Sequence, residues 1–176
     1  MNPKLIVGGA LAAILLTAAS AQAATFTFTT MMTGAADYVP AITPGFGSAQ
    51  VTFDDAALAV TVNETWENLL GAATINHIHV ATMPGGVGGV ALSLPIPNPS
   101  PTTGSFNGMF TLSSASFDSL LMNTNAGLAY VNLHSTSFPG GEIRGFLAPI
   151  PEPETYALMA FGLGVVGLWT RRRQAR

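Results

Sequence analysis

Thr25-Phe26-Thr27-Phe28-Thr29 alternates hydroxyl and aromatic side chains with a period of two. On an extended backbone successive side chains leave opposite faces, so this run sends Phe26 and Phe28 one way and three threonines the other. The same texture recurs in Gln50-Val51-Thr52-Phe53 and in Leu58-Ala59-Val60-Thr61-Val62-Asn63. Further runs cover Ile75 to Val80, Gly89 to Leu94, Ser105 to Leu112, Leu128 to His134 and Glu142 to Leu147. Gly, Pro, Asn and Ser clusters separate them, among them Gly85-Gly86, Gly88-Gly89, Gly140-Gly141 and the prolines at 95, 97, 99 and 101. Short alternating strands at this spacing predict an all-β fold: a Greek-key, immunoglobulin-like β-sandwich of about eight strands.

One segment has a helical period instead. In Ser116-Phe117-Asp118-Ser119-Leu120-Leu121-Met122 the apolar residues Phe117, Leu120 and Leu121 fall at i, i+3 and i+4, after the candidate caps Ser113 and Ser114. The sandwich is therefore expected to carry one short helix, followed by a turn at Asn123 to Gly127 and the strand through Tyr130.

The whole chain of 176 residues is 48% apolar and 9% charged and has no cysteine. That composition is too apolar for a disordered protein. It also excludes disulfides, thiolate metal sites and cysteine nucleophiles. A formal net charge of −3 without a basic stripe argues against nucleic-acid binding. The charge is unevenly laid out. Between Ala24 and Ala148 seven carboxylates face Arg144 alone, a net of −6, and the other five bases lie at the two ends.

Those ends read as addresses. Lys4, an apolar run from Leu5 to Leu16 and the site Ala21-Gln22-Ala23 make a signal peptide over residues 1–23, cut after Ala23 by signal peptidase. A bilayer needs roughly 20 apolar residues, more than this run offers. At the other end Pro151-Glu152-Pro153 precedes a Gly- and Leu-rich apolar stretch from Tyr156 to Trp169, and Arg171-Arg172-Arg173 closes it. Both ends are expected to form hydrophobic helices flanking the sandwich. The C-terminal one, over 149–176, is a short membrane anchor whose arginines stay cytoplasmic. This tail resembles the PEP-CTERM sorting signal of Gram-negative bacteria. The resemblance implies an exosortase as partner, inner-membrane anchoring before processing, then release to the cell surface or the extracellular space. It also implies an association with exopolysaccharide or biofilm matrix.

Three histidines are the candidates for chemistry. In Asn76-His77-Ile78-His79-Val80 the two imidazoles share one strand face. In Tyr130-Val131-Asn132-Leu133-His134 the apolar residues point inward, so Asn132 and His134 point out. In Glu142-Ile143-Arg144 the two charges are likewise expected outward. If these strands neighbour one another, His77, His79 and His134 form a patch suited to copper or zinc, with Glu142 as a further ligand or as hydrogen-bond partner to one. The competing reading needs no cofactor: the same side chains, with a Glu142–Arg144 pair, bond loops and hold a sheet edge. Asp54-Asp55 and Glu64/Glu67 read as solvated surface or, less simply, as bridging calcium ligands. No Gly-x-Ser-x-Gly elbow, P-loop or dinucleotide fingerprint is present.

The run from Tyr130 to Gly145, with Tyr-Val-Asn-Leu-His at 130–134 and Pro-Gly-Gly-Glu-Ile-Arg-Gly at 139–145, resembles the CHRD domain found in chordin and in many secreted bacterial proteins. Asn76-His77-Ile78-His79, Thr103-Gly104-Ser105-Phe106 and the start Thr33-Gly34-Ala35-Ala36-Asp37-Tyr38-Val39-Pro40 fit as well. Asp37 with an extra residue before the proline, and Ser135 in place of Thr, depart from the pattern. The resemblance covers residues 24–148 and implies a secreted β-sandwich domain with no established catalytic activity; the chain is accordingly read as a non-enzymatic surface or matrix module that binds a polysaccharide or protein partner. Gly140 and Gly141 are expected to make a tight turn, and Arg144 to tie the returning strand to the histidine strand. A looser resemblance, limited to His77-Ile78-His79 and the β architecture, is to Cu/Zn superoxide dismutase. It implies the alternative of a secreted metal-binding protein.

Overall fold

Each alternating run forms a strand in the computed structural model, which describes residues 24–150 and 161–163. In chain order the elements are β1 (Thr25–Thr33), a 3-10 turn (Gly34–Ala36), β2 (Phe46–Asp54), β3 (Ala59–Glu67), β4 (Ala73–Ala81) and β5 (Gly88–Ser93). There follow β6 (Gly104–Thr111), α1 (Ser114–Asn125), β7 (Ala129–Ser135), β8 (Ile143–Phe146) and β9 (Ala148–Pro149). The all-β class with one short helix stands, and β9 is a two-residue strand beyond the eight expected. The leader with Ala21 and Ala23, the Pro151-Glu152-Pro153 motif and Arg171 to Arg173 lie outside the described residues. So do both flanking hydrophobic helices, apart from residues 161–163, which are helical. Among the described residues no helix is long and apolar enough to cross a membrane.

The expected division into two separate sheets gives way to one continuous antiparallel sheet in the order β5-β4-β7-β8-β1-β2-β3-β6. The cause is β1. One side of it pairs with β2 along all nine residues. Its other side meets β8 at Thr33↔Arg144 and β9 at Phe28↔Pro149 and Thr29↔Ala148. At that join Gly145 passes so close to Thr30 and Met31 that a Cβ would strike the Met31 carbonyl, so only glycine lets the strands meet.

The sheet curls around a single core. Phe28, Val51, Phe53, Val60, Val62 and Trp66 come from one arm, and Ile78, Leu92, Val131, Leu133 and Ile143 from the other. Helix α1 is capped by Ser113, whose hydroxyl accepts from the Ser116 N–H, and it inserts Phe117 and Leu120 into the same core. Phe53 meets Phe28 and Phe117 edge-on at 5.6 and 5.7 Å. Glu64 belongs to this interior as well. Alternation with Val62 and Trp66 turns it inward, where the Asn76 amide of the opposite arm donates to it at 2.6 Å. Asp54 is also structural, accepting from the N–H groups of Ala56 and Ala57 in the β2–β3 turn. Asp55 accepts from the Ala24 N–H. Asp54, Asp55 and Glu67 keep solvent access as expected, whereas Glu64 is buried and not solvated.

Candidate functional site

The outer face of β4, β7 and β8 collects the polar residues that alternation turns away from the core. Register sets them in rows: His79 opposite Tyr130 and Tyr130 opposite Phe146, then His77 opposite Asn132 and Asn132 opposite Arg144. His134 lies opposite Ile75, diagonal to His77. The three imidazoles come together as the spacing predicted. Ring centroids are 5.4 Å apart for His77–His79, 5.6 Å for His77–His134 and 6.4 Å for His79–His134. One ring nitrogen from each lies within 4.8 Å of the other two.

Backbone carbonyls orient two of the rings. His79 Nδ1 is 3.0 Å from the Gly88 carbonyl and His134 Nδ1 is 2.8 Å from the Pro139 carbonyl. A carbonyl only accepts, so Nδ1 carries the proton and Nε2 keeps the lone pair in each neutral ring. The ring of Tyr130 stacks on His79 at 5.0 Å and 9°. Burial, with the neighbouring His79 and His134, lowers the pKa of His77. Burial lowers that of His79 too, partly offset by the Gly88 carbonyl.

Arg144 is buried rather than exposed. Its guanidinium donates to the carbonyls of Gly86 at 2.9 Å and Gly85 at 3.1 Å and, through Nε, to Ala36. The cation also rests over Tyr130, 5.0 Å from the ring centroid. Arg144 thus fastens the β4–β5 loop and the turn after β1 to β8, through backbone carbonyls of those loops rather than through groups of the histidine strands.

Glu142 does not join the histidines. Its Oε1 accepts from the Thr43 hydroxyl and the Leu70 N–H, both at 2.6 Å, and the side chain is fully buried. Lying in the turn just ahead of β8, it is freed from strand alternation and satisfies two loops instead. It is therefore neither a ligand near the imidazoles nor the partner of Arg144. Of the two turn glycines, Gly141 has φ +131° and a Cβ there would meet the side chains of Asp37 and Asn132, whereas Gly140 faces open space.

Loops roof this face and leave a depression of about 470 Å³ lined by, among others, Asp37, Tyr38, His79, His134, Phe138 and Arg144. Sequence reasoning did not single out Asp37 or Tyr130. Tyr130 was within reach, two residues from Asn132 on the same face. Asp37 carries no periodic signal because it follows the 3-10 turn. Its Oδ1 accepts from the Tyr38 N–H, its Oδ2 is buried without a partner, and burial raises its pKa against the pull of that N–H and of Arg144.

The model of the CHRD domain matches residues 28–147, from the middle of β1 to the residue after β8. The chain belongs to the CHRD family. A second match, to the PEP-CTERM protein-sorting motif, covers residues 149–174. No curated protein and no solved structure matches the chain. The CHRD domain contains all three histidines, Arg144 and the depression, and the sorting motif begins two residues after the domain match ends. Such a motif implies processing by an exosortase during export, so this is an exported, surface-directed CHRD protein.

Proposed function

We propose that this CHRD protein is a non-catalytic binding module displayed at the surface or in the extracellular matrix of a Gram-negative cell. Signal peptidase removes residues 1–23, the tail anchors the chain in the inner membrane until exosortase acts, and the domain then binds exopolysaccharide or a matrix protein of a biofilm. The observation that carries this reading is the abutment of the two matches: a single domain directly precedes the sorting motif, so that domain is the cargo. The depression supports it, since it sets aromatic Tyr38 and Phe138 beside Asp37 and Arg144. Aromatic faces with fixed polar groups suit carbohydrate and peptide alike.

The test is fractionation of a native host expressing the protein with a tag after Ala24 and another at the C-terminus. The proximal tag is expected in the surface or matrix fraction without the distal one, and co-sedimenting with the host's own exopolysaccharide or with one matrix protein. Surface material that retains both tags would overturn the processing, and soluble protein free of any matrix component would overturn the binding.

A further inference from the structure

We propose that His77, His79 and His134 form a three-imidazole site for a divalent first-row transition ion, copper(II) or zinc(II), with its remaining position toward the depression that His79 and His134 line. This goes beyond the sorting and matrix reading and does not depend on it. Three observations carry it. One ring nitrogen from each histidine lies within 4.8 Å of the other two. A tetrahedral ion bound at about 2.0–2.1 Å needs its nitrogens roughly 3.3 Å apart, so side-chain rotations of about an ångström close the set. The tautomers are also set in advance. The Gly88 and Pro139 carbonyls hold the Nδ1 protons of His79 and His134, which leaves Nε2 as the donor atom in each, that of His134 meeting the Asn132 amide at a long 3.4 Å. Metal-binding imidazoles commonly use their second nitrogen in this way.

The third observation is what the lone pairs lack. His79 Nε2 and His77 Nδ1 are both buried with no hydrogen-bond partner. Buried ring nitrogens without partners are costly unless something else uses them, and a cation between the rings would satisfy them. The surrounding charge is compatible. Arg144 is occupied by three carbonyls and a ring face, and the unpartnered Oδ2 of Asp37 lines the same depression. Three neutral imidazoles favour copper(II) over zinc(II) in affinity.

The experiment uses the full chain, purified in detergent and stripped with chelator, then titrated with copper(II) and separately with zinc(II). Calorimetry is expected to give one equivalent per chain, and the electron paramagnetic resonance of the copper form to show nitrogen hyperfine structure. His79→Gln and His134→Gln are each expected to weaken binding roughly tenfold or more, while Glu67→Gln leaves it unchanged. Circular dichroism reports whether each variant is folded. Should a glutamine variant fail to fold, the melting temperature of the unaltered chain is the second readout, expected to rise with metal concentration by mass action. The proposal fails if the unaltered chain takes up less than one equivalent, if folded His79→Gln and His134→Gln chains bind as it does, or if metal leaves its melting temperature unmoved.

Discussion

Glu64 is 2% exposed, and among the described residues its one hydrogen-bond donor is the Asn76 amide of the opposite arm. Burial pushes its pKa from 4.5 up to about 7. An acid with a raised folded-state pKa binds an extra proton in the fold between those two values. Its favourable contribution is therefore complete below pH 4.5 and lost as the pH rises through 7. Glu64→Gln keeps an oxygen for Asn76 and removes the charge. The variant is expected to melt at a higher temperature than the parent at pH 8, and at nearly the same temperature at pH 5. The depressed pKa values of His77 and His79 act oppositely, weakening the fold as the pH falls below 6.5, but they are common to both proteins and cancel in the comparison. A difference in melting temperature that does not change with pH would contradict the burial of this carboxyl. Arg144 is the second residue whose removal should be felt. Lysine has one ammonium in place of a planar fork and cannot reach all three carbonyls. Arg144→Lys is expected to lower stability by about 2–3 kcal/mol, since buried acceptors are left without donors. Urea unfolding measures this, and an unchanged midpoint would show that water replaces the guanidinium at no cost.

Among the elements, the turn before β8 offers the sharpest contrast. Gly141 occupies a left-handed backbone conformation and has two side chains where a Cβ would go, while its neighbour Gly140 has open space there. Gly141→Ala is expected to destabilise by about 1–3 kcal/mol and Gly140→Ala to be nearly neutral. Equal effects in urea unfolding would mean that the turn relaxes freely. The elements themselves were legible because a period of two is local: all eight alternating runs became strands, and the i, i+3, i+4 pattern of Phe117, Leu120 and Leu121 became α1. That each of the three histidines faces outward followed from the same alternation, while their clustering needed the pairing of β4 with β7. Glu64 was legible in principle, since it alternates in phase with Val60, Val62 and Trp66, but its charge outweighed its phase in the sequence reading. What local pattern could not reveal is which strand uses both its edges. That β1 joins the two arms depends on β8 and β9, more than a hundred residues away, and β9 is too short to show a period. Loop positions escape for a similar reason. The burial of Arg144 and the inward turn of Glu142 are set by loops that fold over the sheet, and loops carry no repeat.

For the molecule as a whole, the domain and its address are chemically separate and lie next to each other in the chain. The tail supplies Pro151-Glu152-Pro153, and the domain supplies the three histidines and the depression. Replacing Glu152 with Ala is therefore expected to keep a C-terminal tag in the membrane fraction while leaving the domain's melting temperature unchanged. Loss of the tag in that variant would show that the motif is not what the processing enzyme reads. The junction with the tail and the depression also lie at different ends of one strand. Ile150 donates its N–H to the Thr27 carbonyl, near the start of β1, and Ala24 immediately precedes that strand. Asp37 and Tyr38, which line the depression, come just after its far end at Thr33. The six steps along the strand from Thr27 to Thr33 span about 20 Å at the usual rise per strand residue. A group attached after Ile150 therefore meets the domain at the start of β1, about the length of that strand away from Asp37 and Tyr38.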